Sequence, residues 1–254
     1  MTTPLLVTGG SGYLGGELLR RAEGVGISSR ELDIRDAPAV AALFERLRPQ
    51  AVINAAYRRD DRATTFDGAV HVARAAVEVG ARLVHVSTDV VFDGGKGTPY
   101  TEEDEPRPLT EYGRAKADAE SAVLETHPSA VVVRTSLLYG GAQPGPQERL
   151  ARDPSAAFFT DEVRCPIQVG DLADALVELV ASKQSGILHV AGADQLSRHD
   201  FAELLAGRPV RAATTAESDS VRPRDCSLAI ARARKLLGTR LRGAREVLET
   251  RRDP

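Results

Sequence analysis

The chain has 254 residues, 33 basic and 36 acidic side chains and a net charge of −3. This length can bury a large core, and one α/β domain or one and a half is the natural count. The near balance of charge argues against nucleic acid or an anionic membrane as a partner, and no apolar run approaches the roughly 20 residues that cross a bilayer. Met1-Thr2-Thr3-Pro4 lacks the charged and apolar regions of a signal peptide. Cys165 and Cys226 lie far apart without metal-ligand spacing, so both are expected as free thiols in a reducing, cytoplasmic setting.

Leu5-Leu6-Val7-Thr8 is a short continuous apolar run, the pattern of a buried parallel strand. It enters Gly9-Gly10-Ser11-Gly12-Tyr13-Leu14-Gly15, and helical periodicity follows from Gly16. Strand, glycine turn and helix form the context of a dinucleotide fingerprint. Gly9 allows the tight turn, Gly12 lets a pyrophosphate approach the helix N-terminus, and Gly15 lets helix and strand pack closely. The second strand, 24–28, ends in Ser28-Ser29-Arg30. An acid there would accept from a ribose 2′-hydroxyl; serine and arginine suit a 2′-phosphate, so NADPH is expected, with NADH as the alternative.

A helix is expected over 37–48, where Val40, Leu43, Phe44 and Leu47 share one face, with Asp36 as N-cap and Pro38 just inside. Asp33 is read either as a contact for an adenine amino group or as an exposed loop acid. The next strand carries Val52-Ile53 and exits through Asn54-Ala55-Ala56-Tyr57, whose small residues leave room for a cofactor ribose. Arg58-Arg59-Asp60-Asp61-Arg62 is either a solvated loop or, from its place after a strand, a substrate contact.

A helix over 67–79 ends at Gly80, and a strand follows over 82–86. It leads into Ser87-Thr88-Asp89-Val90. The acidic run Glu102-Glu103-Asp104-Glu105 reads as a solvated loop rather than a metal site, and no metal is expected. The helix over 111–126 carries Tyr112 and Lys116 four residues apart, a phenol and an ammonium on one face that can work as a proton-donating pair. The chain holds five tyrosines and only four lysines, so a lysine in a motif carries weight. Beyond a buried strand at 130–135 the βα rhythm weakens. Short strands are expected at Phe158-Phe159, Ile167 and Val169, and a strand at 186–190. Helices are expected over 171–181, capped by Gly170 or Asp171, and over 197–206, capped by Ser197, then over 229–237 and 241–248. The tail 251–254 is expected to fray.

Taken in order, these segments resemble the extended short-chain dehydrogenase/reductases, most closely the dTDP-4-dehydrorhamnose reductase family. The resemblance rests on the Thr8–Gly15 fingerprint, Leu32-Asp33-Ile34-Arg35-Asp36, Asn54-Ala55-Ala56, Ser87-Thr88-Asp89 with Val91-Phe92-Asp93-Gly94, Pro99-Tyr100-Thr101-Glu102, Tyr112-Gly113-x-x-Lys116, Arg134-Thr135-Ser136, Asp171-Leu172-Ala173 and Arg222-Pro223. It implies a Rossmann-type doubly wound parallel sheet over 1–136 and a small C-terminal α/β substrate-binding region over 137–254 that shares its core. It implies an NADPH-dependent reductase of a nucleotide-activated 4-keto-6-deoxysugar, a monomer or homodimer, that sends hydride to C4. Tyr112 would be the general acid, Lys116 its partner and Thr88 the triad hydroxyl. The cofactor would lie against Gly9, Ser11, Gly12, Tyr13, Leu14, Gly15, Ser28, Ser29, Arg30, Asp33, Ile34, Asn54, Ala55, Ala56, Tyr57, Ser87, Tyr112, Lys116 and Arg134. Substrate would meet Thr88, Asp89, Val90 and Arg222.

The chain departs from the family pattern in places. Val90 stands where tyrosine is usual, Thr65 where many extended members have asparagine, and the segment 140–161 is abbreviated. Alternatives within the same resemblance are an epimerase or dehydratase, for which no glutamate follows Asp89, and a non-catalytic dinucleotide-binding subunit like the regulatory subunit of methionine adenosyltransferase.

Overall fold

The computed structural model describes residues 5–250, so the expectations placed on 1–4 and 251–254 lie outside the described residues. In chain order the elements are β1 (Leu5–Thr8), α1 (Tyr13–Arg21), β2 (Val25–Ile27), α2 (Ala37–Leu47), β3 (Ala51–Asn54), a π-helical turn (Ala63–Asp67), α3 (Gly68–Glu78), β4 (Arg82–Thr88), α4 (Glu111–Thr126) and β5 (Val131–Thr135). Then come β6 (Leu138–Tyr139), α5 (Pro146–Arg152), β7 (Ala157–Phe159), β8 (Val163–Arg164), β9 (Ile167–Gln168), α6 (Val169–Ala181), β10 (Gly186–His189), β11 (Leu196–Ser197), α7 (Arg198–Ala206), β12 (Arg211–Ala213), α8 (Ala231–Leu236) and α9 (Ala244–Glu249).

These elements form two compact units. One takes the chain up to Ser87, Glu111–Val133 and Ala173–Leu188; the other takes Thr88–Thr110, Arg134–Leu172 and the chain from His189 onward. The six-stranded sheet has the order β10-β5-β4-β3-β1-β2. β1 pairs in parallel with β2 and β3, and β3 with β4. Strand residues alternate faces. Leu6, Val52, Leu83 and Val132 join a cluster with Val40 and Phe44 of α2, Val72 and Ala76 of α3, and Ala119 and Val123 of α4. Val7, Ile53, Val84 and Val131 face the other way and are equally buried. A parallel sheet covered on both faces is the doubly wound Rossmann-type architecture that the apolar runs predict.

Local chemistry sets the helix ends. The Asp36 carboxylate accepts the Ala39 N–H at 3.0 Å, capping α2 with Pro38 in its first turn. Ser197 caps α7 in the same way through the Asp200 N–H at 2.9 Å. α6 differs from expectation: it starts at Val169, read in the sequence as strand, because the Gln168 side chain accepts the Asp171 N–H at 2.9 Å and lets the helix open directly after β9. The helix read as 67–79 begins earlier, in the π-helical turn. There the Thr65 hydroxyl donates to the Arg58 carbonyl at 2.6 Å and accepts the Arg58 N–H at 3.2 Å, closing the charged loop.

The second unit is built from short pairings: β11 with β8 antiparallel, and β12 with β7 and β6 with β9 parallel. Its apolar clusters centre on Tyr139, Leu196, Phe201, Val247 and Leu248, and on Ala151, Phe158 and Ala202. Cys165 and Cys226 are both buried free thiols in this unit. Burial pushes the Cys165 thiol up to about 11 and the Cys226 thiol higher still, which leaves both unreactive. Among the described residues no helix is long and apolar enough to cross a membrane.

Candidate active site

The glycine turn between β1 and α1 is shaped by backbone crowding. Gly9 has φ +72°, and a Cβ there would stand 3.0 Å from the Ala55 carbonyl group. A Cβ on Gly15 would lie 2.2 Å from the Gly9 oxygen, so Gly15 closes the helix against the turn itself rather than against a strand. Gly12 is different: its Cβ would meet only the Gly9 oxygen, at 3.1 Å, and its outer side is open beside the first turn of α1. An open backbone at a helix N-terminus suits a pyrophosphate. Ser11 is exposed and Tyr13 partly so, whereas the Leu14 side chain is in the core.

After β2, Ser29 and Arg30 are exposed. Ser28 is engaged: its N–H and hydroxyl both donate to Glu31, at 2.8 and 2.7 Å. Asp33 pairs with the Arg35 guanidinium, which also reaches Asp61 at 3.3 Å. The hydrogen bonds from Arg35 hold the Asp33 carboxyl down at about 2. Ile34 is buried against Gly68, where a Cβ would stand 2.6 Å from its side chain.

A polar row crosses three strands, at the C-terminal ends of β1 and β3 and the middle of β4. Thr8, Asn54 and His85 are in register across β1, β3 and β4. The Thr8 hydroxyl donates to Asn54 Oδ1 at 2.6 Å, and the Ala56 N–H donates to the same oxygen at 3.3 Å. With its oxygen accepting, the Asn54 amide must donate to His85 Nδ1, at 3.1 Å. Asn54, read in the sequence as a cofactor ligand, therefore uses its buried side chain to shape the Ala55-Ala56 exit.

Tyr112, in the first turn of α4, stands near two side chains of the loop after β3. Its ring centroid is 5.7 Å from that of Tyr57, and the Arg59 guanidinium sits 5.2 Å above it. Lys116, one turn further, is buried; its ammonium donates to the Val86 carbonyl at 2.6 Å and stands 5.6 Å from the Tyr57 ring. Burial brings the Lys116 ammonium down from 10.5 to about 8, against the opposing attraction of Glu120. Tyr57 thus joins Tyr112 and Lys116, the pair expected on one helix face, in one cluster, with Arg59 as the member of the charged loop beside Tyr112. Ser87, the next residue of β4, donates its hydroxyl to Glu120. Glu120 escaped the sequence reading, although its place four residues after Lys116 puts it on the same helix face.

Thr88 ends β4. Its hydroxyl donates to the Asp89 carboxylate at 3.2 Å and receives the Val90 N–H at 3.4 Å. Asp89 is internal rather than exposed to a substrate: its carboxylate receives the Ser136 hydroxyl at 2.6 Å and lies 3.8 Å from Arg164. Desolvation raises the Asp89 carboxyl. Arg164 also pairs with Glu162 at 3.2 Å, and Glu162 in turn pairs with Arg222 at 3.1 Å. Arg222 is the solvent-reaching end of this chain of charges, 38% exposed and stacked 4.5 Å from the Phe159 ring. Arg134, expected at the cofactor, is buried in the second unit instead, 5.0 Å from the Phe92 ring and 3.5 Å from His189.

The family model described as RmlD substrate binding domain matches residues 2–252. A Streptomyces antibioticus protein named as a probable dTDP-4,6-dihydroxy-2-methyloxan-3-one 4-ketoreductase is 36% identical over 245 residues, covering 86% of this chain and 82% of that protein. A dTDP-4-dehydrorhamnose reductase of Mycolicibacterium smegmatis is 35% identical over 245 residues, covering 88% and 73%. Among solved structures, a dTDP-4-dehydrorhamnose reductase of Bacillus anthracis in complex with NADP aligns with a TM-score of 0.89 at 26% identity, covering 98% of each chain.

Proposed function

The chain belongs to the family described as RmlD substrate binding domain, and from that premise we propose that it is an NADPH-dependent reductase of a nucleotide-activated 4-keto-6-deoxysugar, with NADH as a second cofactor. The observation that supports this best is the Tyr57–Tyr112–Lys116 cluster, in which a phenol and a buried ammonium stand on one helix face, together with a glycine turn open at Gly12.

Gly9, Ser11, Gly12 and Gly15 would hold the cofactor pyrophosphate, with Ser29 and Arg30 toward a 2′-phosphate. When bound, the nicotinamide supplies the hydride for the C4 carbonyl. Tyr112 gives its phenolic proton to the oxygen as the carbonyl becomes an alkoxide, so hydride and proton together yield the alcohol. Lys116 favours the tyrosinate left behind, since a neighbouring ammonium stabilises a phenolate. Thr88 is assigned the hydrogen bond that orients the carbonyl oxygen. Leu14 and Ile34, whose side chains are core, would offer backbone only. Arg222, on its Phe159 platform, is assigned to the anionic nucleotide part of the substrate, which the segments after residue 136 would bind. Asp89 and Val90 would act by holding Thr88 in place.

The test is oxidation of NADPH, followed by absorbance, in the presence of freshly made dTDP-4-keto-6-deoxy-L-hexose. Turnover that disappears in Tyr112→Phe supports the reading. Tight NADPH binding without oxidation across several ketosugars would sink it and favour a non-catalytic dinucleotide-binding subunit.

A further inference from the structure

Three residues of α4, Tyr112, Lys116 and Glu120, recur every four positions and so share one face of the helix. Tyr112 stands at the outer end beside Tyr57 and Arg59. Lys116 and Glu120 lie deeper, only 3% and 2% exposed. Both inner groups are tied to consecutive residues at the end of β4: the Lys116 ammonium to the Val86 carbonyl at 2.6 Å, the Glu120 carboxylate to the Ser87 hydroxyl. A lysine buried this deeply is driven toward its neutral form unless a negative group faces it.

Side chains from β4, the loop after β3 and α4 itself stand near Lys116. From β4 comes His85, fully buried; its Nδ1 accepts from Asn54, and its Nε2 has no hydrogen-bond partner. Desolvation and the Lys116 charge keep that imidazole neutral, so it adds no charge. The loop after β3 brings the Tyr57 ring, which is uncharged, and Arg59, a cation 5.2 Å from the Tyr112 ring. The approach to the π-helical turn brings Arg62, whose guanidinium pairs with Asp118 at 2.8 Å, both half-exposed. α4 itself supplies Glu120, the buried carboxylate that favours the charged lysine.

We infer that Glu120 is a positioning residue that acts through Lys116: its carboxylate, fixed by Ser87, holds Lys116 as an ammonium at neutral pH and so sets the pH range over which Tyr112 can give up its proton. The inference rests on the reductase reading for its effect on turnover, but not for its effect on Lys116.

The four lysines of the chain make the charge state measurable without substrate. The full-length protein labelled with ¹³Cε-lysine is titrated by NMR, the Lys116 signal being assigned by its loss in Lys116→Arg. Wild type is expected to titrate near 8. In Glu120→Gln the Lys116 midpoint is expected to fall by at least about one unit, a tenfold weaker hold on the proton, while Glu120→Asp restores most of it. The pH profile of kcat/KM in Glu120→Gln should lose activity at its alkaline edge by the same shift. A Lys116 midpoint unchanged in Glu120→Gln overturns the inference. Should that variant fail to fold, Ser87→Ala, which frees the carboxylate without removing it, is expected to lower the midpoint by about a third of a unit, roughly twofold in proton affinity; no movement there overturns the inference equally. An enzyme inactive on ketosugars whose Lys116 still shifts leaves the Glu120 role standing and removes only the reductase reading.

Discussion

Glu31 takes both donors that Ser28 offers, the backbone N–H at 2.8 Å and the hydroxyl at 2.7 Å. Those bonds hold its carboxyl below the usual range, so it is an anion at neutral pH. An anion beside Ser28 opposes a cofactor 2′-phosphate and can accept from a free ribose 2′-hydroxyl. Glu31→Gln is therefore expected to raise the preference for NADPH over NADH by about two- to fivefold, the size of exposed charge interactions. Arg30→Ala is expected to lower it. Fluorescence titration with each cofactor measures both, and a ratio unchanged in either variant would remove the 2′-phosphate site from this strand end.

Neighbouring glycines of α1 should respond in opposite ways. Gly15→Ala puts a methyl 2.2 Å from the Gly9 oxygen, within rigid backbone. It is expected to destabilise by about 1–3 kcal/mol and to weaken cofactor binding as the turn shifts. Gly16→Ala meets nothing nearer than the Arg20 side chain at 4.0 Å. Replacing a helical glycine there is expected to stabilise by about 0.5–1 kcal/mol. Urea unfolding of the two variants side by side decides this.

Two of the buried histidines, His85 and His189, give acid sensitivity. Desolvation depresses His85 well below 6.5 and His189 to about 3. Below about pH 6.5 the unfolded chain binds protons that the folded chain refuses, so stability falls as pH drops, by up to about 1.4 kcal/mol per unit for each group. For His189 the loss runs on toward pH 3, where the folded state protonates too. Lys116 has the same sign in an alkaline window: between 8 and 10.5 only the unfolded chain keeps that proton, so stability rises with pH there. Urea midpoints at pH 7, 6 and 5 should fall progressively, and His85→Asn should flatten the slope by about one proton. An equal slope in the variant would contradict the neutral, buried imidazole.

Asp89 is expected to matter for stability before substrate. Asp89→Ala removes one carboxylate from buried Arg164, which keeps Glu162 and backbone carbonyls as partners. Breaking such a set by deleting one charge is expected to cost about 3–5 kcal/mol. Asp89→Asn, which can still receive the Ser136 hydroxyl, should cost less. A Glu162→Gln variant tests the other end of the same network, and a denaturation midpoint unmoved by either change would mean that the network contributes nothing.

Much of this was legible in the chain. The apolar run before Gly9, the Asp36 and Ser197 caps and the span of α4 all come from neighbours within one helical turn or one strand, so sequence patterns carry them. The start of α6 was misplaced because its cap comes from the Gln168 side chain, a residue with no strong local preference for that role. Arg134 was placed at the cofactor through the family resemblance alone; Phe92 and His189, which lie beside it, are far off in sequence.

The sequence by itself determined the parallel βα fold, the glycine turn and the place of Tyr112 and Lys116 on one helix face, because each depends on backbone sterics and helical spacing that adjacent residues already encode. Tertiary structure decided what the polar residues do. Register places Thr8, Asn54 and His85 in one row, and burial makes an interior network of Asp89 and Arg164. The same burial encloses Lys116 and Glu120 on one face of α4. Strand register and desolvation arise only when distant segments meet and exclude water, and those two quantities set which charges survive inside this protein.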